Sequence, residues 1–364
     1  LELCSRLKIN DILGVNTLSE SVNLKGISKS NELSNVDNKL PLVKAPDTIN
    51  WKPKSKVWPI LQIVAFVAAL IENTLMPTEQ IVNNFPYRIF LILFIIYLGV
   101  QYIISFFNET ISVKVNHKSQ FYFAIGIGFI AWDILSTKTN ILPLPFFPGA
   151  AQIVQVLVED INTLLISTAY SMRLLVLGFI AGTILGLVSG ILMGWYRQWY
   201  YWFFPILKII GVVPAVAWIP IAMIVFPSTL VSQVFLIVLC VWFPVAFMAC
   251  GGIENIPKSY FEAAKTLGAD EKFLIFKIAI PGAMPSIFTG IYTATGLSFT
   301  TLVVSEMLGA KAGLGWYINW AKGWSNYAKV YAAIVIMAVV FSIVLAIIFK
   351  IRDRVLIWQK GLLK

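Results

Sequence analysis

NIPKSYFEAAKTLGADEKFLIFKIAIPGAMP, residues 255–285, is polar and basic where its flanks are among the most apolar in the chain. FLIVLCVWFPVAFMACGG precedes it and SIFTGIYTATGLSFTTLVV follows. A charged loop of this length between two apolar runs is a natural surface for a partner in water. Its local physics predicts two short helices. Pro257 suits a first helical turn, Lys258 to Leu267 are mostly good helix formers, and Gly268 fits a left-handed stop at C′. Asp270 can cap a second helix, which Pro281 is expected to end. Ala263 and Ala264 are small and adjacent, so another protein could approach the first helix closely.

The spacing Glu262-Ala263-Ala264, three residues, Gly268, nine residues, Ile278, one residue, Ile280-Pro281 resembles the EAA loop of bacterial ABC importer permeases. That signature reads EAA-x3-G-x9-I-x-L-P, and Ile280 for Leu is the one departure. The resemblance implies that 255–285 forms a cytoplasmic coupling helix docking in a groove of an ATP-hydrolysing subunit. It assigns that coupling to Glu262, Ala263, Ala264, Gly268 and Pro281.

Across the 364 residues, 58% are apolar and 13% charged, the composition of a membrane protein. The formal charge of +10 comes from basic residues lying between apolar runs, so it reads as topology signal and lipid contact, not nucleic-acid binding. Cys4, Cys240 and Cys250 have no metal spacing and imply no disulfide framework. His117, the sole histidine, lies in a basic polar stretch and reads as a solvated residue.

Residues 1–56 form a polar tail rich in Ser, Asn and Lys, without a signal peptide's apolar core. Its LCSRLKINDIL stretch could form a short amphipathic helix, and Leu1 leaves the native start open. Eight runs long enough to cross roughly 30 Å of hydrocarbon follow. They lie at about 57–77, 87–107, 120–138, 169–195, 204–226, 230–251, 284–307 and 330–350. Between the third and fourth, NILPLPFFPGAAQIVQVLVEDINTLLI begins with helix-breaking prolines, and its later half could lie on the membrane face.

With the N-terminus inside, the inner loops and C-terminal end carry thirteen Lys and Arg, with nine more in the tail, against five in the outer loops. This asymmetry predicts both termini in the cytoplasm. The three lysines of 308–329 run against it locally.

Gly178, Gly182, Gly186, Gly190 and Gly194 recur every fourth residue in the fourth run, a bare stripe for backbone-to-backbone helix packing. Packing within one subunit and a dimer seam are the two readings. In the fifth run, Pro214 and Pro220 each free a carbonyl, which a membrane tolerates only beside protein or a wet cavity. Trp218 stands between them.

VVPAVAWIP is similar to the proline-and-tryptophan segment of the nitrate, sulfonate and bicarbonate subfamily of ABC permeases. LPLPFFPGAAQIVQVL, SMRLLVLGFIAGTILGLVSGILMG and VSEMLGAKAGLGWYI resemble three further stretches of that subfamily. The resemblance spans roughly 120–360, leaving two extra runs in 57–119 and a permease core in 120–364. It implies a type I importer transmembrane domain and a small anion such as nitrate, bicarbonate, taurine or another sulfonate as solute.

Charges inside membrane spans default to functional candidates. Glu72 and Asp133 sit near span ends and can reach the interface. Arg173 and Glu306 lie in outer halves of core runs, either as a structural ion pair or as pathway lining. Thr293, Thr295, Ser298, Thr300 and Thr301 make the seventh run polar around much of its circumference. The pathway candidates are Arg173, Pro214, Trp218, Pro220, Thr300 and Glu306.

No G-x-x-x-x-G-K-[ST] phosphate loop occurs, so this chain is not the ATPase. Gly309, Gly313 and Gly315 read as a turn. No Ser/His/Asp set and no metal cluster is evident, so no catalysis, cofactor or metal is expected of the chain. The sequence describes an all-α polytopic membrane protein of about eight spans, and the resemblance implies that it works as the transmembrane subunit of an ABC importer. The resemblance implies an ATPase pair that uses ATP and Mg, a second permease copy, and an extracytoplasmic binding protein meeting outer loops such as 316–324. The implied site is the bacterial inner membrane. A secondary transporter would also explain eight spans and buried charges, and a non-transporting scaffold would explain the tail.

Overall fold

A computed structural model describes residues 57–76, 82–107, 109–139 and 141–357. The tail 1–56, its short helix and its lysines lie outside the described residues.

Among the described residues every regular element is helical. Seven helices are long and apolar enough to cross a membrane, and a bent pair makes up to eight. First come α1 (Trp58–Leu75), α2 (Phe85–Phe107) and α3 (Glu109–Asp133), the last prolonged by a π-turn at Ile134–Lys138. The third run thus becomes helical eleven residues earlier than its hydropathy suggests, and His117 sits exposed on α3. An aromatic core joins this hairpin to α3 and to α4 (Ala150–Glu159). Phe66, Tyr87, Leu91 and Leu98 are buried there beside Phe94, Phe129 and Val154.

The core begins with α5 (Ile161–Trp195), 35 residues and about 50 Å long. Its glycine stripe lies along α8 (Thr229–Glu254). A Cβ built at Gly182 would stand 2.8 Å from Val241 Cβ, and one at Gly190 2.6 Å from the Ala246 carbonyl. Helices this close exchange side-chain volume for backbone contact. The stripe is therefore engaged inside the subunit.

The fifth run is not one helix. α6 (Arg197–Val212) and a stretch from Ala215 to Val225, whose second part is α7 (Ile219–Val225), meet at 93°. Val213 is extended, and Pro214 opens a 3-10 turn, so the proline ends a helix instead of kinking one.

α9 (Lys258–Thr266) follows α8, then α10 (Glu271–Phe273), a π-turn at Leu274–Ala279 and α11 (Ile280–Gly309). The last three form one continuous helix of 39 residues. Contrary to the expectation from sequence, Pro281 does not end the second short helix; it stands in the first turn of α11. The wide π-turn ahead of it accommodates the ring and missing N–H that an α-turn would reject. The segment 308–329, expected to be an outer loop, holds α12 (Leu314–Gly323), with Leu314, Tyr317 and Ala321 buried. α13 (Tyr327–Val355) completes the described helices.

Candidate coupling loop and transport pathway

α9 ends in a Schellman closure. The Gly268 N–H donates to the Lys265 carbonyl at 3.0 Å and the Ala269 N–H to the Ala264 carbonyl at 3.1 Å. Gly268 has φ +84, and nothing lies within 4 Å of the Cβ it lacks, so backbone conformation, not space, demands glycine. Two residues on, Asp270 accepts the Phe273 N–H at 3.0 Å and caps the long helix. The loop is pinned to α5 by Trp195, whose ring meets Phe261 edge-on and whose indole N–H donates to Glu271 at 2.9 Å.

Glu262 and Ala263 are exposed and Ala264 half-buried. Among the described residues Glu262 makes no hydrogen bond or ion pair, and Trp195 ties the loop to α5 instead. Around it Tyr260, Leu267 and Phe276 are also exposed. Exposed apolar groups flanked by charges are features of an interaction surface.

The 93° break opens a cavity of about 350 Å³, lined in part by Pro214, Cys240, Phe243, Thr300 and Thr301. Of the six pathway candidates, Pro214 and Thr300 meet there. Pro220 is exposed in the first turn of α7. Trp218 turns away to pack beside Ile219, Ala222 and Leu236, with its indole nitrogen buried and unpartnered. On α11 the hydroxyl-bearing residues divide by face: Thr289, Thr293 and Thr300 are exposed with Gly296, whereas Thr295, Ser298, Thr301 and Ser305 are buried.

Arg173 and Glu306 form no ion pair. Arg173 is exposed, while Glu306 is buried and accepts from the Ser171 hydroxyl at 2.9 Å and the Gly315 N–H at 2.8 Å. The Ser171 hydroxyl oxygen in turn accepts the Leu314 N–H at 2.8 Å. Residues two apart on a helix point to opposite sides, so Ser171 faces Glu306 and Arg173 cannot. Gly313, at φ +128, leaves room for the carboxylate; a Cβ there would stand 2.6 Å from Glu306 Cδ. The glycine cluster is thus a seat for Glu306. Beside it Tyr317 donates to Asp160 at 2.7 Å, and Lys329 pairs with the same oxygen at 2.6 Å. Burial alone would raise the Asp160 carboxyl, but these two donors outweigh it and hold it below the ordinary carboxylate range.

Glu72 and Asp133 do not reach solvent as expected. Asp133 is buried and accepts from the Thr137 hydroxyl at 3.1 Å, and Glu72 lies 3.7 Å from Lys138 with both side chains 9% exposed. Charge inside an apolar helix is the available signal, but nothing in the sequence pairs residues this far apart.

An all-helical bundle with a charged loop leading into its longest helix, and a helix broken at a cavity, defines a polytopic transport permease. Residues 182–357 match the family described as binding-protein-dependent transport system inner membrane component. Over that segment the chain resembles the permeases of ABC transporters, and in particular their nitrate, taurine and bicarbonate members. It is 28% identical over 221 residues to a protein of Methanocaldococcus jannaschii named as an ABC transporter permease, covering 58% of this chain and 82% of that one. It is 34% identical over 114 residues to the nitrate import permease protein NrtB of Synechococcus elongatus. It is 33% identical over 114 residues to the taurine transport system permease protein TauC of Escherichia coli. Each of these two matches covers 31% of this chain, with 41% of NrtB and 42% of TauC.

Proposed function

We propose that this chain is the transmembrane subunit of an ATP-driven importer of a small anion, of the kind that nitrate, bicarbonate and taurine represent. Two copies form the pathway, an ATPase pair using ATP and Mg drives it from the cytoplasm, and an extracytoplasmic binding protein delivers the solute. The subunit sits in the cytoplasmic membrane among its lipids, with both termini inside. Residues 120–364 are its core and 57–119 an added hairpin. The observation that carries this reading is the exposed helix α9, closed at Gly268 and joined by a short turn capped at Asp270 to the 39-residue helix. Motion imposed on α9 reaches the bilayer through that hydrogen-bonded turn.

The pathway runs beside the cavity at Pro214 and along Thr289, Thr293 and Thr300 of α11. These hydroxyls donate to the carbonyl one turn back, and by rotating they can donate to an anion instead, without a fixed counter-charge that would trap it. The test is uptake of labelled nitrate, bicarbonate and taurine into vesicles holding the permease with its ATPase and binding protein. ATP-dependent accumulation of one of them is expected, and it should fall in Thr300→Val. Accumulation driven by a proton or sodium gradient without ATP would replace this reading with secondary transport.

A further inference from the structure

Glu306 stands at one end of the helix whose other end carries the coupling loop, and its surroundings are unlike those of an ordinary structural carboxylate. Its residue is 1% exposed, yet one oxygen has no hydrogen-bond partner and no Lys or Arg among the described residues pairs with it. The other oxygen takes both donors, the Ser171 hydroxyl and the Gly315 N–H. A buried acid held by two neutral donors on one oxygen is a costly arrangement for stability alone. What it does accomplish is connection. Three elements meet at this carboxyl: α5 through Ser171, α11 through Glu306 itself, and α12 through the N–H groups of Leu314 and Gly315.

We infer that the Ser171–Glu306–Gly315 clasp is the outer latch of the transport pathway, with Ser171 the positioning residue that decides whether it is shut. This rests on the proposed importer reading for which end is outer. α12 lies across the ends of α5 and α11 with Tyr317 and Ala321 buried beneath it. Tyr317 fastens it a second time, to Asp160 at the head of α5. The long helix is about 58 Å from Glu271 to Gly309. A tilt applied near α9 is therefore delivered at Glu306, past the π-turn at Leu274–Ala279 and the prolines Pro281 and Pro285 near its driven end. Moving Glu306 away from Ser171 breaks one charge-assisted hydrogen bond and pulls apart the two ends that α12 bridges, α5 through the Leu314 N–H on Ser171 and α11 through Gly315 and Asn319. If α12 follows α11, it leaves Ser171, keeps only the Tyr317 bond to the head of α5 and swings from the pathway. Thr300 lies six residues inward of Glu306, about 9 Å along the helix, on the exposed face. Its access from outside reports the state of the latch.

The experiment uses the full-length permease in vesicles without ATPase, with Cys4, Cys240 and Cys250 replaced by Ala or Ser and Thr300→Cys as the single thiol. A membrane-impermeant maleimide is added from the outer side. Ser171→Ala should raise the labelling rate about tenfold, the shift expected from losing one hydrogen bond to a charged group. Labelling at the unaltered rate, with the thermal midpoint unchanged, overturns the latch. If Ser171→Ala does not fold, Glu306→Met, which keeps the side-chain length without acceptors, is read the same way: faster labelling supports the latch and an unaltered rate rejects it. Because no ATPase is present, a flat result leaves ATP-driven uptake to be judged by its own assay.

Discussion

The indole N–H of Trp195 donates to the Glu271 carboxylate at 2.9 Å, tying the last residue of α5 to the first turn of the long helix. That bond acts beside the Trp195–Phe261 ring contact in holding the coupling loop against α5. Trp195→Phe keeps a ring against Phe261 and removes only the donor. The cost should be about 1 kcal/mol, felt locally as faster trypsin cleavage at Lys258, Lys265 and Lys272. Unchanged cleavage would mean that the Asp270 cap and the Phe261 contact hold the loop without it.

Gly186 packs against α8 of its own chain. A Cβ there would lie 2.8 Å from Val245 Cβ and 3.1 Å from the Trp242 carbonyl. Gly186→Leu should therefore lower stability by about 3 kcal/mol or more, since backbone as well as side chain must move. Gly128→Ala, at a glycine with nothing within 4 Å, is the matched control and should be tolerated. Thermal denaturation in detergent decides. Equal midpoints for Gly186→Leu and the unaltered protein would remove the close-packing account.

How much of the molecule is legible in its sequence varies with how local the physics is. α9, its stop at Gly268 and the cap at Asp270 depend on residues within one turn of each other, and the sequence carries them in full. The glycine stripe is readable as a packing face, but its partner residues on α8 lie about sixty residues on. Pro281 departs from expectation because a proline's effect on a helix depends on the turn before it, and the π-turn at Leu274–Ala279 has no clear sequence signature. The 93° break at Pro214 exceeds the kink that the prolines suggest for a similar reason: its severity is set by the cavity and by α8. Arg173 and Glu306 share a depth but not a face, which depth alone does not reveal. The seat that Gly313 and Gly315 make for Glu306 has a local signal, three glycines in seven residues after an acid in an apolar span.

Asp160 gives the fold a defined acid sensitivity. Its carboxyl is held below the ordinary range by Lys329 and Tyr317 against the effect of burial. A depressed native value means stabilisation that is present above the unfolded value, near 4, and lost as pH falls through the native one. Asp160→Asn should lower the thermal midpoint near neutral pH by the equivalent of about 1 kcal/mol, the upper range for a partly exposed pair. The gap between variant and unaltered protein should close below about pH 4. A gap that persists there would assign the loss to packing, not charge.

The coupling assignment stands or falls at Gly268. With φ +84, Val at this position must adopt the left-handed conformation at about 1–2 kcal/mol or pull the helix out of its Schellman closure. No neighbour obstructs the new side chain, so any effect arises from the backbone. Gly268→Asn should be milder, because Asn tolerates this conformation. A tilted α9 cannot pass the ATPase's closing motion through Asp270 into the long helix, so ATP-driven uptake should fail in Gly268→Val and largely survive in Gly268→Asn. Glu262→Lys tests the docking face in the opposite way. Glu262 is exposed and bonded to no other described residue, so reversing its charge should leave the permease folded and inserted while weakening capture of the ATPase. Pull-down of the ATPase measured beside uptake separates the two failures: Gly268→Val should retain binding better than transport, and Glu262→Lys should lose both. Normal uptake and normal pull-down in both variants would remove α9 as the coupling helix.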